Sequence, residues 1–161
     1  MYKRALVPLD GSPVAEAIIP FMLEIAGPLD TEVVLLQVLV PIPPSVHEGS
    51  RHVVVEDVEG RWREAEAYLA GVAERLMGKG IRVQTKIGRG NPASEILTAA
   101  GTTGADLIAM TTHGRTGPAR LLFGSVAEAV LRRAEVPVLL MRQTEAEVER
   151  RRVAPAVNQS R

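Results

Sequence analysis

The sequence contains no cysteine and few aromatic residues, and it has no surplus of either charge. The absence of cysteine excludes disulfides, thiolate catalysis and cysteine-ligated metal sites. Phe, Trp and Tyr together make up 3% of the chain, which argues against a base-stacking platform for single-stranded nucleic acid. The formal net charge is +0, whereas proteins that hold nucleic acid through its phosphates usually carry a basic surplus. We therefore expect no nucleic-acid partner.

Long hydrophobic runs are also missing. No stretch approaches the length of a transmembrane helix, and the N-terminus lacks the pattern of a secretory signal peptide. We therefore expect a cytoplasmic protein that does not contact membranes. The 161 residues, of which 46% are hydrophobic and 24% charged, are typical of one globular domain. We expect this domain to span residues 1–142 and to be followed by a polar tail, residues 143–161.

Apolar runs alternate with amphipathic helical patterns along the domain. The runs predict five strands, at residues 4–9, 32–40, 81–87, 107–110 and 136–141. The helical patterns predict helices from residue 13 to about 26, from 54 to 78, from 92 to 101 or 104, and from 126 to 134. This alternation is typical of an α/β domain with an open parallel sheet and helices on both faces.

Prolines and glycines give the finer expectations. Pro20 should bend the first helix, and Gly27-Pro28 should end it. Residues 41–50, with three prolines, should form a loop. The apolar seam of the long helix, which includes Trp62, should pack on the sheet. Pro137 cannot donate a hydrogen bond to a neighbouring strand, so the last strand should lie at an edge or begin at this residue.

Two predicted strands end in residues with functional chemistry. The first is followed by Asp10, and the fourth by about a dozen residues before the next helix, where two to six are usual. Gly114, Gly117 and Gly124 would let backbone N–H groups in this loop approach an anion and would permit positive φ. Ser125 would either cap the helix or bind a phosphate oxygen. An ordinary glycine-rich loop with a capping serine remains the alternative.

Ligands of such sheets bind at the carboxyl ends of strands, where the winding reverses. With the strand order 3-2-1-4-5, the first and fourth strands are neighbours and flank that reversal. Asp10 and the glycine-bearing loop would then share one crevice.

Three motifs resemble the universal stress protein family. They are Val7-Pro8-Leu9-Asp10-Gly11-Ser12, the span from His113 to Gly117 followed by Gly124-Ser125-Val126-Ala127-Glu128, and Val136-Pro137-Val138-Leu139. They occur in the family's order and spacing, and the resemblance covers the chain to about residue 142. It implies a five-stranded parallel sheet of order 3-2-1-4-5 that is Rossmann-like and similar to adenine nucleotide alpha hydrolases.

The resemblance also implies a site. The ATP-binding branch of the family has the pattern Gly, two residues, Gly, nine residues, Gly, then Ser or Thr. The last three positions fall on Gly114, Gly124 and Ser125, but the first falls on Thr111, whose side chain narrows the approach to the ribose and phosphates. The implied adenine-nucleotide contacts are Pro8, Leu9, Asp10, Val38, Met110, Thr111, His113, Gly114, Gly117, Gly124, Ser125 and Val126, with a contribution from the turn at residues 88–91.

The resemblance favours an ATP-binding regulatory or stress-response protein, with Mg²⁺ or Mn²⁺ as an optional bridge between phosphates. It implies a homodimer formed through the fifth strand, from Val136 to Met141, and leaves a protein partner open. We identify no catalytic residue and no protein ligand for a metal. A slow ATP hydrolase using His113 and a nucleotide-independent interaction module remain alternatives, as do a receiver-like and a flavin-binding domain.

Overall fold

The computed structural model describes residues 2–42, 45–46, 53–54, 57–113 and 124–143, together with 147 and 149. The elements follow in the order β1 (Arg4–Leu9), α1 (Pro13–Glu16), α2 (Ile18–Leu29), β2 (Glu32–Leu39), β3 (Ser45–Val46), β4 (Val53–Val54), α3 (Val58–Met77), β5 (Val83–Arg89), α4 (Pro92–Thr103), β6 (Leu107–His113), α5 (Ser125–Arg133) and β7 (Val138–Gln143).

Five of the strands form one parallel sheet in the order β5-β2-β1-β6-β7. Numbered among themselves, these strands have the order 3-2-1-4-5, so the predicted fold class and winding are confirmed. Alternate side chains along each strand point to opposite faces of the sheet. One face packs against α1, α2 and α3, and the other against α4 and α5, so that each face has its own apolar core.

The first helical segment differs from its prediction. It consists of two helices separated at Ala17, rather than one helix bent at Pro20. The break is consistent with the proline ring, which clashes with the carbonyl four residues earlier, at Glu16. The predicted end at Gly27-Pro28 is wrong: α2 continues through Pro28 and is ended by Asp30, whose φ of 51° is left-handed. Proline's fixed φ suits a helix, so Pro28 does not stop the last turn.

The prediction between β2 and α3 is also corrected. Within the predicted loop, Ser45–Val46 pairs antiparallel with Val53–Val54, so the long helix does not begin at Val54. It begins at Val58, after Asp57, whose Oδ1 accepts a hydrogen bond of 2.8 Å from the Gly60 amide. Most of the apolar seam of α3 is buried, but Trp62 is 36% exposed and donates from Nε1 to Glu66. The expectation that the seam packs on the sheet therefore holds for Ala65, Leu69, Val72 and Leu76 but not for Trp62.

Two strands lie two residues later than predicted. The third strand of the sheet is Val83–Arg89 rather than 81–87, and the fifth is Val138–Gln143 rather than 136–141. Pro137 precedes β7, and β7 lies at an edge of the sheet, as its missing N–H group led us to expect. Asn91 caps α4 through a 3.1 Å bond from the Ser94 amide, and Gly104 ends that helix with a φ of 65°, as predicted.

A polar clasp holds the amino end of the sheet. The Asp106 carboxylate, just before β6, accepts hydrogen bonds of 2.9–3.1 Å from the backbone amides of Lys3 and Arg4. Arg4 in turn forms an ion pair of 2.7 Å with Glu32 on β2. The clasp therefore ties the start of β1 to both of its neighbouring strands. In the described part of the chain, no helix is long and apolar enough to cross a membrane.

Candidate functional site

A crevice of about 370 Å³ opens at the carboxyl end of the sheet, where the winding reverses between β1 and β6. This volume falls within the range typical of small-molecule sites. Its walls come from the ends of β1, β2 and β6, from the first turns of α4 and α5, and from α1. The lining residues are Pro8, Leu9, Asp10, Ala15, Leu36, Val38, Val40, Pro92, Ile96, Met110, Thr111, Thr112, Gly124, Ser125, Val126 and Ala127.

Nine of the twelve residues predicted from the sequence line this one crevice. They are Pro8, Leu9, Asp10, Val38, Met110, Thr111, Gly124, Ser125 and Val126. The expected meeting of Asp10 with the chain after β6 thus takes place, at the Gly124 end. Gly114 and Gly117 lie outside the described residues. His113 is the last residue of β6, and its side chain is likewise not described.

Asp10 is held in a tight turn after β1. Its Oδ1 accepts a 2.8 Å hydrogen bond from the Ser12 amide, and Gly11 between them has a φ of 82° that favours glycine. The hydroxyl of Ser12 then caps α1 by accepting from the Ala15 amide at 3.1 Å. These two bonds fix the direction in which the chain leaves β1, and they place a carboxylate on the wall of the crevice.

The first turn of α5 forms the opposite wall. Gly124 is the N-cap and Ser125 the first helical residue, so of the two roles considered for Ser125 the capping role is excluded. No side chain caps this helix within the described residues. The amides of Ser125, Val126 and Ala127 belong to the helix positions that have no acceptor within the helix, and all three residues line the crevice. The helix dipole adds positive potential at the same place.

Gly124 itself does not behave as the sequence suggested. Its φ is −53°, an ordinary value for any residue, so the positive φ that a glycine would permit is not used here. Its amide donates to the hydroxyl of Thr112 at 3.2 Å, across twelve sequence positions. This amide therefore already has an acceptor, and the groups available to an anion are those of the next three residues.

The electrostatics differ between the two walls. Tyr68 lies near the Asp10 wall of the crevice. Burial raises the pKa of Tyr68, and the carboxylates of Glu16 and Asp10 raise it further. Arg75 pairs with Glu16 at 2.7 Å, so the negative charge that faces the crevice on this side is that of the Asp10 carboxylate. The α5 side is positive because of its unpaired amides and helix dipole. The crevice would orient a ligand that has hydroxyl groups at one end and an anion at the other.

Backbone groups complete the crevice at β2. This strand pairs with β1 only as far as Leu9 opposite Gln37, but it continues to Leu39. Within the described residues, Val38 therefore has no strand partner on the β1 side. Its outward peptide groups are suited to recognise the hydrogen-bonding edge of a planar ring. Val38 and Leu36 lie beside Met110 and Ile96, so that this end of the crevice is apolar.

Sequence reasoning missed seven of the lining residues, including the α4 wall formed by Pro92 and Ile96; the other five are Ala15, Leu36, Val40, Thr112 and Ala127. The α4 wall had a signal in the sequence, because Asn91-Pro92 marks a helix that begins where a strand ends. Thr112 had no such signal, since only the structure shows that its hydroxyl accepts a hydrogen bond from the Gly124 amide. Across the described ranges, no group of three or more His, Cys, Asp or Glu residues is arranged to hold a metal ion.

Sequence comparisons find relatives along most of the chain. The model of the universal stress protein family matches residues 1–142. The universal stress protein MJ0531 of Methanocaldococcus jannaschii is 36% identical over 150 residues, which cover 91% of this chain and 86% of that protein.

Solved structures share the fold. A universal stress protein in complex with cAMP superposes with a TM-score of 0.65 at 20% identity, covering 88% of this chain and 97% of that one. The universal stress protein of Archaeoglobus fulgidus in complex with dAMP gives a TM-score of 0.62 at 21% identity, covering 86% and 97%.

Proposed function

This chain belongs to the universal stress protein family, and we propose that its crevice binds an adenine nucleotide, with ATP as the leading candidate. The observation that carries the proposal is the uncapped start of α5 facing Asp10 across the crevice. Backbone amides at a helix N-terminus bind phosphate, and a carboxylate at the facing strand end accepts hydrogen bonds from ribose hydroxyls. The phosphates would therefore lie at Ser125 and Val126, and the ribose at Asp10.

Adenine would lie at the apolar end, beside Val38. The unpartnered peptide groups of β2 at Val38 would bind the ring edge, and Met110 and Ile96 would pack against its faces. The two fold neighbours that were solved with dAMP and with cAMP support an adenine ligand by analogy of fold. Because the described residues offer no metal-binding cluster, a Mg²⁺ or Mn²⁺ ion would be held mainly by the phosphates.

At the level of the protein, we propose a cytoplasmic regulatory or stress-response role carried by residues 1–142, with residues 143–161 as a tail. We further propose that the active form is a homodimer that pairs through β7. Four consecutive apolar residues of β7 are only partly buried, and β7 is an edge strand. An apolar strand edge of this kind favours pairing with another strand.

The test is calorimetric titration of the purified protein with ATP, AMP, adenosine and GTP, after mass spectrometry for co-purified nucleotide. We expect ATP and AMP to bind and GTP to bind more weakly, since the guanine edge differs from that of adenine. Absence of binding at millimolar ATP would contradict the proposal and favour a nucleotide-independent interaction module. Release of phosphate over many turnovers would instead favour the slow hydrolase.

Two variants test whether Ser125 contributes to ATP binding. Ser125→Ala removes a hydroxyl that caps nothing, so stability should change little and ATP affinity should fall by about 3- to 10-fold, the equivalent of one hydrogen bond. Thr98→Ala removes an exposed hydroxyl on α4 outside the crevice and should leave ATP affinity unchanged. Equal affinities for the two variants would remove Ser125 from the proposed site.

A further inference from the structure

We infer that Thr112 is a positioning residue that sets the phosphate affinity of the crevice by fixing the start of α5. The inference rests on the proposed nucleotide site and concerns how that site is built. Thr112 belongs to β6. Its hydroxyl accepts a hydrogen bond from the amide of Gly124, the N-cap of α5, twelve positions later. The hydroxyl therefore joins the sheet directly to the wall that would hold the anion.

The burial of Thr112 gives this bond its strength. The residue is only 4% exposed, on a strand whose neighbouring side chains on the same face, Ile108 and Met110, belong to the apolar core under α4 and α5. Gly124 is exposed, so the bond is shielded from water on the strand side only, where competition from water is reduced. Thr112 is paired with Arg142 of β7, whereas the pairing of β6 with β1 ends at Ile108, so the acceptor is held in the sheet from the β7 side.

The helix end needs this external anchor. An N-cap side chain usually fixes the first turn by accepting a hydrogen bond from an amide two or three residues later, but Gly124 has no side chain. With Thr112 as the anchor, the start of α5 is held while the amides of Ser125, Val126 and Ala127 stay available to a ligand. A side-chain cap would hold the turn but would occupy one of those amides.

The experiment compares affinities for ATP, AMP and adenosine in Thr112→Val, which keeps the shape of the side chain and removes the acceptor. We expect ATP and AMP to bind roughly 3- to 10-fold more weakly, the equivalent of one hydrogen bond. Adenosine, which has no phosphate, should bind as it does to the wild type. Thr112→Ser keeps the acceptor and should restore the ATP-to-adenosine affinity ratio.

Thr31→Val is the matched control. Thr31 is 2% exposed and its hydroxyl also makes one hydrogen bond, to the Tyr2 carbonyl, but it lies at the opposite end of the sheet. Its replacement should lower the melting temperature without changing any nucleotide affinity. A purely structural role for Thr112 would give the same pattern as Thr31. An unchanged ATP-to-adenosine ratio in Thr112→Val would therefore overturn the inference.

Hydrogen exchange provides a readout that does not depend on the variant folding. In the nucleotide-free wild type, the Gly124 amide should exchange slowly and the Ser125 and Val126 amides quickly. Rapid exchange at Gly124 would overturn the inference even if no variant can be purified. Failure of the proposed function is distinguishable, because the wild type would then bind none of the three ligands whatever the exchange rates.

Discussion

Gly124 is a glycine of the predicted binding motif whose backbone conformation does not require glycine. Its φ of −53° is available to any residue, and a Cβ atom added to it would meet nothing within 4 Å among the described atoms. Glycine is therefore not required for folding at this position. The remaining reason is space, because a side chain here would stand beside the amides of the first turn of α5.

We predict that Gly124→Val changes the free energy of unfolding by no more than about 0.5 kcal/mol. Its branched side chain would take space beside the amides proposed to bind phosphate and should lower ATP affinity at least about fivefold. Thermal denaturation and calorimetric titration measure the two effects. Gly101→Val on α4 is the control, since a Cβ there also meets nothing within 4 Å and lies outside the crevice. Unchanged ATP affinity in Gly124→Val would contradict the prediction.

Asp106 makes the clasp at the amino end of the sheet dependent on pH. Burial alone would raise the pKa of Asp106, but the amides of Lys3 and Arg4 outweigh it, and the net pKa lies below its usual value. A carboxylate with a lowered pKa in the folded state contributes stability above its unfolded pKa and loses it as pH falls through the folded one.

We predict that Asp106→Asn lowers the free energy of unfolding at pH 7 by about 1 kcal/mol, less than a full charge-assisted hydrogen bond contributes, because Asn keeps one acceptor oxygen and the site is partly exposed to solvent. The difference from the wild type should shrink as pH falls below the ordinary aspartate pKa of about 3.9, because the wild-type carboxyl then becomes neutral too. Urea denaturation at several pH values measures it. A difference that stays constant from pH 7 to pH 3 would disprove the electrostatic account.

At the scale of single residues, the sequence predicts positions whose chemistry is local. Asp10 and Ser125 stand out because a carboxylate and a hydroxyl follow a strand and precede a helix. Thr112 does not, since its importance depends on an amide twelve positions away. The corrected roles of Gly124 and Ser125 have the same origin, because the structure places the helix start one residue before the start that the sequence predicts.

Among the helices, α3 contains two glycines in contrasting surroundings. Gly71 is exposed, and an added Cβ would meet nothing within 4 Å. At Gly60 an added Cβ would lie 2.2 Å from Oδ2 of Asp57, the carboxylate that caps the helix. The same substitution should therefore have opposite consequences along one helix.

We predict that Gly71→Ala raises the free energy of unfolding by about 0.5–1 kcal/mol, because alanine gives up less backbone entropy in a helix. Gly60→Ala should give no such gain, since the new methyl group displaces the Asp57 cap. Chemical denaturation of the two variants with the wild type is the measurement. An equal gain in both variants would show that the cap adds nothing to stability.

The elements that the sequence predicts well are those with a cap or a clear apolar period. Asn91-Pro92 and Gly104 mark both ends of α4 correctly, since their side chains and backbone act locally. The first helical segment is predicted less well. Pro28 is compatible with the last turn of α2, and the helix ends instead at its C-cap, Asp30. The short pairing of β3 with β4 gives no sequence signal, as two-residue strands have no measurable period.

Across the whole molecule, the two edges of the sheet differ in character. The β5 edge carries polar and charged side chains such as Gln84, Thr85 and Lys86, which discourage further strand pairing. The β7 edge carries the run Val138 to Met141, all partly exposed. With this asymmetry, each chain has one edge that is suited to strand pairing. Two chains that pair through this edge would form a closed dimer rather than a filament.

We predict that the wild type sediments as a dimer at micromolar concentration. Met141→Lys should raise the dissociation constant of the dimer at least about tenfold, because a charge is then buried in the interface. Thr85→Lys on the opposite edge is the control and should leave the dimer intact. Sedimentation velocity distinguishes them. A monomeric wild type would contradict the dimer, and a dimeric Met141→Lys would place the interface elsewhere.

The overall fold is more predictable than the site, since winding and layers follow from periodicity summed over many residues. The strand order is fixed by burial on both faces of β1, β2 and β6, which a run of apolar residues already indicates. The crevice depends on where strands end relative to each other, and an error of two residues, as at β5 and β7, is enough to change which side chains meet there.

The hydrogen bond between Thr112 and Gly124 also bears on the entropy of binding. It ties the start of the α5 wall to a strand of the sheet before any ligand arrives. A ligand that meets a wall already in place loses less conformational entropy than one that must order the wall on binding. The ordering of α5 thus belongs to folding rather than to the binding step.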